Sequence, residues 1–152
     1  MRVALMFLVA VLGLTVACGG GGGADQPPTI NYGRDTSAIG MIISDPRFAG
    51  ATVDARGRAT LFDDLGDLVV AARQNQTSST RVWVHDYQTR RWIDGTTASY
   101  VAADGLVSVT PMGSGLVAFQ GQADAASFSR DHHGTEMSWT TVLSTWKNPT
   151  SG

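Results

Sequence analysis

A strand that runs directly into a helix is encoded by residues 59–72, which read ATLFDDLGDLVVAA. The β-branched and aromatic residues at its start favour an extended conformation. A helix is predicted from residue 65, because the apolar positions that follow recur at the spacing of one helical face, Leu65, Leu68, Val69 and Ala72. Asp63 or Asp64 stands where the N-cap of this helix is expected. The segment therefore provides one strand, one helix and the short junction between them.

Further strands are predicted on both sides of this segment. Ala51-Thr52-Val53 precedes it across a turn at residues 54–57, and residues 81–85 follow the helix with alternating β-branched and aromatic side chains. A short apolar run, Met41-Ile42-Ile43, ends shortly before Pro46, which would interrupt a sheet ladder. The first half of the chain therefore has the order strand, strand, helix, strand.

The same order recurs in the second half of the chain. Residues 99–102 and 115–119 are predicted to be strands, and residues 124–130 a helix. Residues 135–139 are predicted to be a closing strand or the start of a C-terminal helix. Two similar units follow one another along the chain.

The junctions between strand and helix match in the two units, at residues 62–65 and 119–122. The sequence therefore predicts an α+β fold of two ββαβ-like modules, residues 31–92 and 93–147, with mixed or antiparallel sheets and helices packed on one face. Residues 30–150 are sufficient in number for one compact domain with its own hydrophobic core.

The first 30 residues have the pattern of a lipoprotein signal peptide followed by a tether. Arg2 precedes an apolar run that is too short to cross roughly 30 Å of hydrocarbon, and Leu14-Thr15-Val16-Ala17-Cys18 resembles a lipobox. We expect residues 1–17 to be removed, Cys18 to be lipidated, and the glycine- and proline-containing residues 18–30 to form a tether. Ordinary secretion with a free cysteine is the alternative. Lipidation predicts an extracytoplasmic protein anchored on the periplasmic or cell-surface side of a membrane.

Charge and cysteine content exclude several function classes. The chain has 11 Lys and Arg residues against 13 Asp and Glu residues, a net charge of −2. Removal of residues 1–17 takes away Arg2 alone, and the resulting net charge near −3 argues against nucleic acid as a partner. Cys18 is the only cysteine, so its lipidation leaves no thiol for catalysis or for a disulfide. No catalytic arrangement or phosphate-binding loop is present, and we predict that the chain is not an enzyme.

Four phrases are distinctive in their order behind the lipobox, namely YGRD at residues 32–35, GMIISDPRF at 40–48, WVHDY at 83–87 and TPMGSG at 110–115. Together with the intervening LFDDLGD they resemble the NosL family of copper-binding lipoproteins, which help to mature the copper clusters of nitrous oxide reductase. The resemblance covers residues 30 to 145 and implies a pair of ββαβ modules related to part of alkylmercury lyase. A lyase activity is disfavoured, because that chemistry needs thiols.

One departure from the family affects the metal chemistry. Members commonly carry Cys-x-x-Cys immediately before the Gly-Met pair that stands here at Gly40 and Met41, whereas Thr36 and Ile39 occupy the two cysteine places. A thiolate ligand from within the monomer is therefore excluded. Copper binding is expected to be weaker than in relatives that have these cysteines.

The resemblance implies methionine and histidine ligands for Cu(I), and these carry over to Met41, Met112 and His85. Thioether sulfur and imidazole nitrogen both suit this soft ion. Met137 is a lesser candidate. The alternatives are that an isolated methionine fills the core and that His85 only makes hydrogen bonds.

The resemblance further implies a membrane-anchored Cu(I) chaperone that assists copper-site maturation of nitrous oxide reductase. Its expected partners are the membrane, through the lipid anchor, and copper-delivery or maturation proteins. The alternative is a NosL-like scaffold lipoprotein that has lost the metal and acts through protein–protein interaction.

Overall fold

The structure, a computed structural model, describes residues 25–75 and 80–150. The predicted signal peptide, the lipidation site Cys18 and the first part of the predicted tether lie outside the described residues. In the described part, none of the helices is both long and apolar enough to span a lipid bilayer.

Seven strands, three α-helices and one 3-10 helix make up the described part of the chain. In chain order they are β1 (Gly50–Val53), β2 (Ala59–Phe62), α1 (Leu65–Gln74), β3 (Arg81–His85), β4 (Trp92–Asp94), β5 (Ser99–Ala102), the 3-10 helix (Asp104–Leu106), β6 (Leu116–Phe119), α2 (Gln122–Asp131), β7 (Thr135–Ser138) and α3 (Trp139–Thr145). The strands and helices predicted between residues 51 and 139 are present, with bounds that differ by one or two residues, whereas the apolar run 41–43 contributes only an isolated bridge between Ile42 and Thr36.

The strands form two antiparallel sheets with the same connectivity. The first sheet has the order β2-β1-β3-β4, and the second has the order β6-β5-β7. In each module the first strand is central, with the second strand on one side and the strand that follows the helix on the other. This arrangement confirms the predicted α+β fold of two ββαβ modules, with sheets that are antiparallel.

The short strand β4 extends the first sheet and is not indicated by the sequence pattern. It pairs with β3, and the pairing sets His85 opposite Trp92. Three residues are too few to show a period of two. The predicted boundary between residues 92 and 93 falls inside this strand. At the C-terminus, residues 135–139 contain both predicted alternatives, since β7 passes directly into α3.

Helix α1 packs on one face of the first sheet. Leu65 and Leu68 are fully buried there against Phe62 and Val84. Gly50, in the central strand, allows this close approach, because a Cβ atom at that position would lie 2.5 Å from Leu68 Cδ1. Burial of each leucine contributes about 2 kcal/mol to folding. The packing of Leu65 and Leu68 therefore stabilises the first turn of α1 against the sheet.

The opposite face of the first sheet is covered by the segment that leads into the domain. Ile30 and Ile43 are buried there with Ala49, next to Leu61 and Trp92. Asp25 forms an ion pair of 2.8 Å with Arg81 at the start of β3. The segment from Asp25 therefore passes along the sheet from the start of β3 towards its end.

The two modules share one hydrophobic core. Residues of α1 and β3 pack there with Tyr100, Leu116 and Val142 of the second module. Arg73 fastens α1 to the C-terminal end of α3, where its guanidinium donates to three backbone carbonyls, those of Val142, Leu143 and Trp146. The modules are therefore halves of a single folding unit.

Candidate metal centre

The three predicted ligands lie around one end of the first sheet. His85 is the last residue of β3, and Asp63 and Asp64 follow β2 at the same end. The register shows this directly, because Gly50 of the central strand pairs with both Phe62 and Val84. Adjacent strands are about 4.8 Å apart, so His85 and the junction between β2 and α1 are separated by roughly 10 Å.

His85 is buried, with 3% of its surface exposed, and both of its ring nitrogens are hydrogen-bonded. Nδ1 lies 3.1 Å from the Ala49 carbonyl oxygen, and Nε2 lies 3.0 Å from the Tyr32 hydroxyl oxygen. Burial lowers the pKa of His85, and the Ala49 carbonyl opposes this only in part. The neutral ring must donate from Nδ1, because a carbonyl only accepts, so Nε2 accepts the Tyr32 hydroxyl proton.

The surroundings of His85 hold its imidazole ring in the neutral form that is protonated at Nδ1. The Trp92 ring lies against the imidazole, with 3.7 Å between the ring centroids. Burial, with a smaller contribution from the charge of Asp45, raises the pKa of Tyr32 to about 12. The phenol therefore remains a donor at neutral pH. His85 makes the hydrogen bonds that the alternative interpretation expected, and its Nε2 lone pair is occupied by Tyr32.

Met41 lies in a tight hairpin formed by residues 36–42. The Ser37 N–H donates to the Met41 carbonyl at 2.8 Å, and the Ala38 N–H donates to the Leu61 carbonyl at 2.8 Å. The second bond fixes the hairpin to the open edge of β2. The Met41 side chain is 48% exposed. It does not fill the core, so the core-filling alternative is wrong for this residue.

The two places where family members commonly carry cysteine lie in the same hairpin. Thr36 pairs with Ile42 as an isolated antiparallel bridge, and Ile39 stands at the turn with 57% of its surface exposed. Neither side chain is a ligand for soft copper. The family's cysteine positions are therefore close to Met41 in the structure but contribute no sulfur.

Met112 lies in the loop between the 3-10 helix and β6, and its side chain is half-buried. Its backbone N–H donates to Asp64 Oδ2 at 2.8 Å. The other carboxylate oxygen of Asp64 accepts from the Gly66 N–H at 2.7 Å and caps α1, as predicted. A single, fully buried carboxylate therefore fixes both the start of α1 and the loop that carries Met112.

Comparison with known proteins identifies the family. The NosL family model matches residues 27–146, which is most of the chain. This chain belongs to the NosL family. The crystal structure of the copper chaperone NosL from Shewanella denitrificans is similar to it, with a TM-score of 0.65 and 17% sequence identity over 78% of this chain and 96% of that chain. At this identity the likeness shows a shared fold. No curated protein matches the chain.

Membership of the NosL family supports a copper-related chaperone role and confirms that the chain is not an enzyme. The carboxylates at the junction between β2 and α1 do not form a metal site by themselves. Across residues 25–75 and 80–150, no group of three or more His, Cys, Asp or Glu side chains could hold a metal ion.

Two carboxylate oxygens at this junction lack a hydrogen-bond partner. They are Asp63 Oδ1 and Asp67 Oδ2, and both atoms are buried. Burial raises the pKa of Asp67, and the charges of Asp64 and Asp63 raise it further. Of the two acids expected to cap α1, Asp64 does so, whereas Asp63 and Asp67 each keep a buried carboxylate oxygen without a donor.

The other sulfur candidates lie elsewhere. Met137 in β7 is 8% exposed and belongs to the main core, where it pairs with Tyr100 across the strands. Its role is packing. The partners of His85 are Tyr32, Ala49 and Trp92 rather than a methionine. The structure therefore brings Met41, Met112 and His85 to one end of the sheet without closing them into a ligand set.

Sequence reasoning did not identify Tyr32 or Trp92 as partners of His85. Tyr32 appeared only as part of a family phrase, and it meets His85 from 53 positions away. The only sequence signal for this pair was a histidine in a predicted strand and an aromatic residue in a preceding loop. The number of residues between two such positions is not fixed, so the pattern could not identify Tyr32.

Proposed function

We propose that this chain is an extracytoplasmic copper chaperone, anchored through a lipidated Cys18, that carries Cu(I) to the proteins that mature nitrous oxide reductase. The observation that carries the proposal is the NosL match over residues 27–146. The similar protein of known structure is a copper chaperone by its own description. Met41 and Met112 would supply thioether sulfur, and His85 would supply a ring nitrogen.

The side chains present suit Cu(I) as a cargo. Thioether and neutral imidazole donors are compatible with this soft ion, and neither thioether must lose a proton to bind it. The lowered pKa of His85 keeps its ring neutral at neutral pH. Asp64, which is buried and accepts from the Met112 N–H, would place negative charge beside the loop that carries Met112. This charge would substitute in part for that of the missing thiolates, and the neutral donors favour binding that is weaker and more readily exchanged.

Transfer of the ion needs a surface on which a partner protein can dock. The hairpin that carries Met41 exposes Ile39 by 57% and Ile42 by 58%. Clustered exposed apolar side chains of this kind are typical of interaction sites. The hairpin itself, residues 36–42, has no charged side chain, so it lacks the basic cluster that an anionic lipid surface would attract. Met41 would meet the acceptor's ligands within that contact.

The lipid anchor is compatible with this orientation. Asp25, the first described residue, is ion-paired with Arg81 at the start of β3, whereas His85 ends the same strand. Seven chain steps separate Cys18 from Asp25, which limits their separation to about 25 Å. A domain held on this tether would present the His85 end of its first sheet away from the point of attachment.

The sulfur ligands can be tested by substitutions that keep the size of the side chain. We expect Met41→Leu combined with Met112→Leu to weaken Cu(I) binding at least tenfold, because leucine replaces the thioether with hydrocarbon. The affinity is measured by competition with a chromophoric Cu(I) chelator. Met137→Leu is the matched control and should retain the wild-type affinity, since Met137 is a core residue. Equal affinities of all three proteins would show that the proposed ligands are wrong.

A scaffold lipoprotein without metal is the second candidate function. It is favoured by Thr36 and Ile39 at the family's cysteine places and by the occupied nitrogens of His85. This candidate predicts no Cu(I) uptake in competition with the chelator, together with wild-type binding to a maturation partner. Chelator competition and pull-down of that partner from solubilised membranes therefore separate the two functions.

A further inference from the structure

We infer that Tyr32 caps the metal-binding nitrogen of His85, so that copper enters only when the phenol moves aside. This inference rests on the proposed function. It adds a positioning residue that neither the family resemblance nor the sequence pattern assigns. Tyr32 would control how readily the site fills and empties, while the metal itself is held by other side chains.

The geometry leaves Nε2 as the one nitrogen of His85 that a metal ion could reach, once Tyr32 has moved aside. The Ala49 carbonyl occupies Nδ1 at 3.1 Å, and the Trp92 ring covers a face of the imidazole at 3.7 Å between centroids. The hydroxyl of Tyr32 stands at Nε2, at 3.0 Å. His85 is 3% exposed, whereas Tyr32 is 37% exposed. The phenol therefore lies between the ligand nitrogen and solvent.

The structure also allows Tyr32 to leave this position. It lies in a turn in which the N–H groups of Arg34 and Asp35 donate to the Asn31 carbonyl. The next residue, Gly33, has a φ of +79°, and nothing lies within 4 Å of the position of a Cβ atom there. A hydroxyl that swings outward from a partly exposed ring exchanges His85 for water. Opening therefore breaks the hydrogen bond to His85 and the edge contact between the two rings.

The cap is connected to the hairpin that carries Met41. Ile43, immediately after the hairpin, exchanges two backbone bonds with the Tyr32 turn: the Gly33 N–H donates to the Ile43 carbonyl at 2.8 Å, and the Ile43 N–H donates to the Asp35 carbonyl at 2.9 Å. A displacement of the turn therefore acts on the hairpin directly. Copper binding at His85 and a change in the position of Met41 would occur together.

The test uses Tyr32→Phe in the full chain, with Cu(I) and the redox-stable ion Ag(I) as probes. A net hydrogen bond of ordinary strength corresponds to about a two- to tenfold change in binding. We expect Tyr32→Phe to bind both ions more tightly by this factor, because the competing donor is gone. Tyr87→Phe is the matched control, since Tyr87 packs against Phe119 and Phe128, whereas the two ring nitrogens of His85 bond to Tyr32 and Ala49. Its affinity should equal that of the wild type.

A second readout separates a cap from a merely structural contact. In nitrogen-15 NMR of the apo wild type, His85 should show a protonated Nδ1 and an Nε2 that accepts a hydrogen bond. Addition of Ag(I) should shift the Nε2 signal and the ring signals of Tyr32 together, with Nδ1 still protonated. In a His85→Ala background, Tyr32→Phe should have no further effect on affinity.

The outcomes distinguish this inference from the proposed function. If the wild type takes up neither ion, the proposed function fails and the cap fails with it. If the wild type binds while Tyr32→Phe matches it or binds more weakly, only the cap is overturned. If Tyr32→Phe still raises the metal affinity in the His85→Ala background, the cap is also overturned, because the phenol would then act on another ligand.

Discussion

The two junctions between strand and helix occupy equivalent places in the two modules and differ in their chemistry. At the first junction, between β2 and α1, Asp63 and Asp64 are buried, and Asp64 caps the helix through the Gly66 N–H. At the second, between β6 and α2, Gln120 is exposed and the N-cap residue Gly121 makes no side-chain bond. Both helices have ten residues. A helix of this length can therefore begin at such a junction without buried carboxylates.

Buried carboxylates destabilise a fold unless hydrogen bonds compensate for the lost hydration. Asp64 has two such bonds, from Gly66 and Met112, whereas Asp63 Oδ1 has none. The first junction therefore retains charge that a helix start does not need. What this charge adds is a fixed position for the Met112 loop and a negative potential beside it. Under the proposed function, the first junction positions the loop that carries Met112, whereas the second junction serves the fold alone.

The largest effect is expected when Asp64 is removed. Asp64→Ala should lower the free energy of unfolding by about 2–4 kcal/mol, because it removes a helix cap and leaves the Met112 N–H without its acceptor. Urea unfolding measures this change. Gly121→Ala, at the matching N-cap of α2, should cost about 1 kcal/mol or less. If the two substitutions cost the same, the two junctions are equivalent and the contrast drawn above fails.

A smaller effect is expected at Asp86, which links the end of β3 to the second junction. Its Oδ2 accepts from the Gln120 N–H at 2.8 Å, while Oδ1 accepts from the Thr89 N–H at 2.7 Å. Asp86→Asn should cost about 1 kcal/mol, because the amide nitrogen that replaces one oxygen cannot accept.

Replacement of aspartate by asparagine at each junction also tests their functional difference. Asp64→Asn can still cap α1 through its remaining oxygen, but it loses the bond from the Met112 N–H. We expect it to weaken Cu(I) binding severalfold, whereas Asp86→Asn leaves binding unchanged. Chelator competition measures both affinities. Equal losses in the two variants would mean that the Met112 loop has no special part in holding the metal.

The smallest effect concerns the pH dependence of stability. Asp67 and Asp124 both lie in the first turn of their helices, but Asp67 Oδ2 is buried without a partner, whereas Asp124 is exposed. Burial raises the pKa of Asp67 above its ordinary value of 3.8. Above pH 3.8, the folded state keeps this proton longer than the unfolded state, so stability falls as pH rises through the folded pKa.

Asp67→Asn should remove this fall, so its gain in unfolding free energy over the wild type should grow as the pH is raised from about 4. Asp124→Asn is the control for the loss of a helix-start charge, and its difference from the wild type should not grow in the same way. Thermal unfolding across this pH range provides the measurement. Parallel profiles for the two variants would contradict the distinct environment of Asp67.

The sequence was sufficient to predict those strands and helices that have a periodicity or a helix start within their own residues. The strand-to-helix stretch at 59–72 and its counterpart in the second half carry both a periodicity and a helix start, and these predicted the ββαβ order correctly. Strand β4 was missed because its three residues are held by pairing with β3 rather than by a pattern of their own. Fold class therefore followed from the chain alone, whereas the full extent of the first sheet did not.

The candidate site was less accessible to sequence reasoning. Met41, Met112 and His85 came from a family resemblance, and the groups that position two of them are distant in sequence. Asp64 binds the Met112 N–H across 48 positions, and Tyr32 binds His85 across 53. Contacts at such separations depend on how the two modules pack. No local pattern of residues encodes them.

Arg73 has a consequence for the order in which the protein can form. Its guanidinium bonds to carbonyls of Val142, Leu143 and Trp146, so the contacts of α1 in the first module are completed only by the last helix of the chain. A chain that emerges N-terminus first cannot close this contact until residue 146 has emerged. The native contacts of α1 therefore form only after the whole of the second module has emerged.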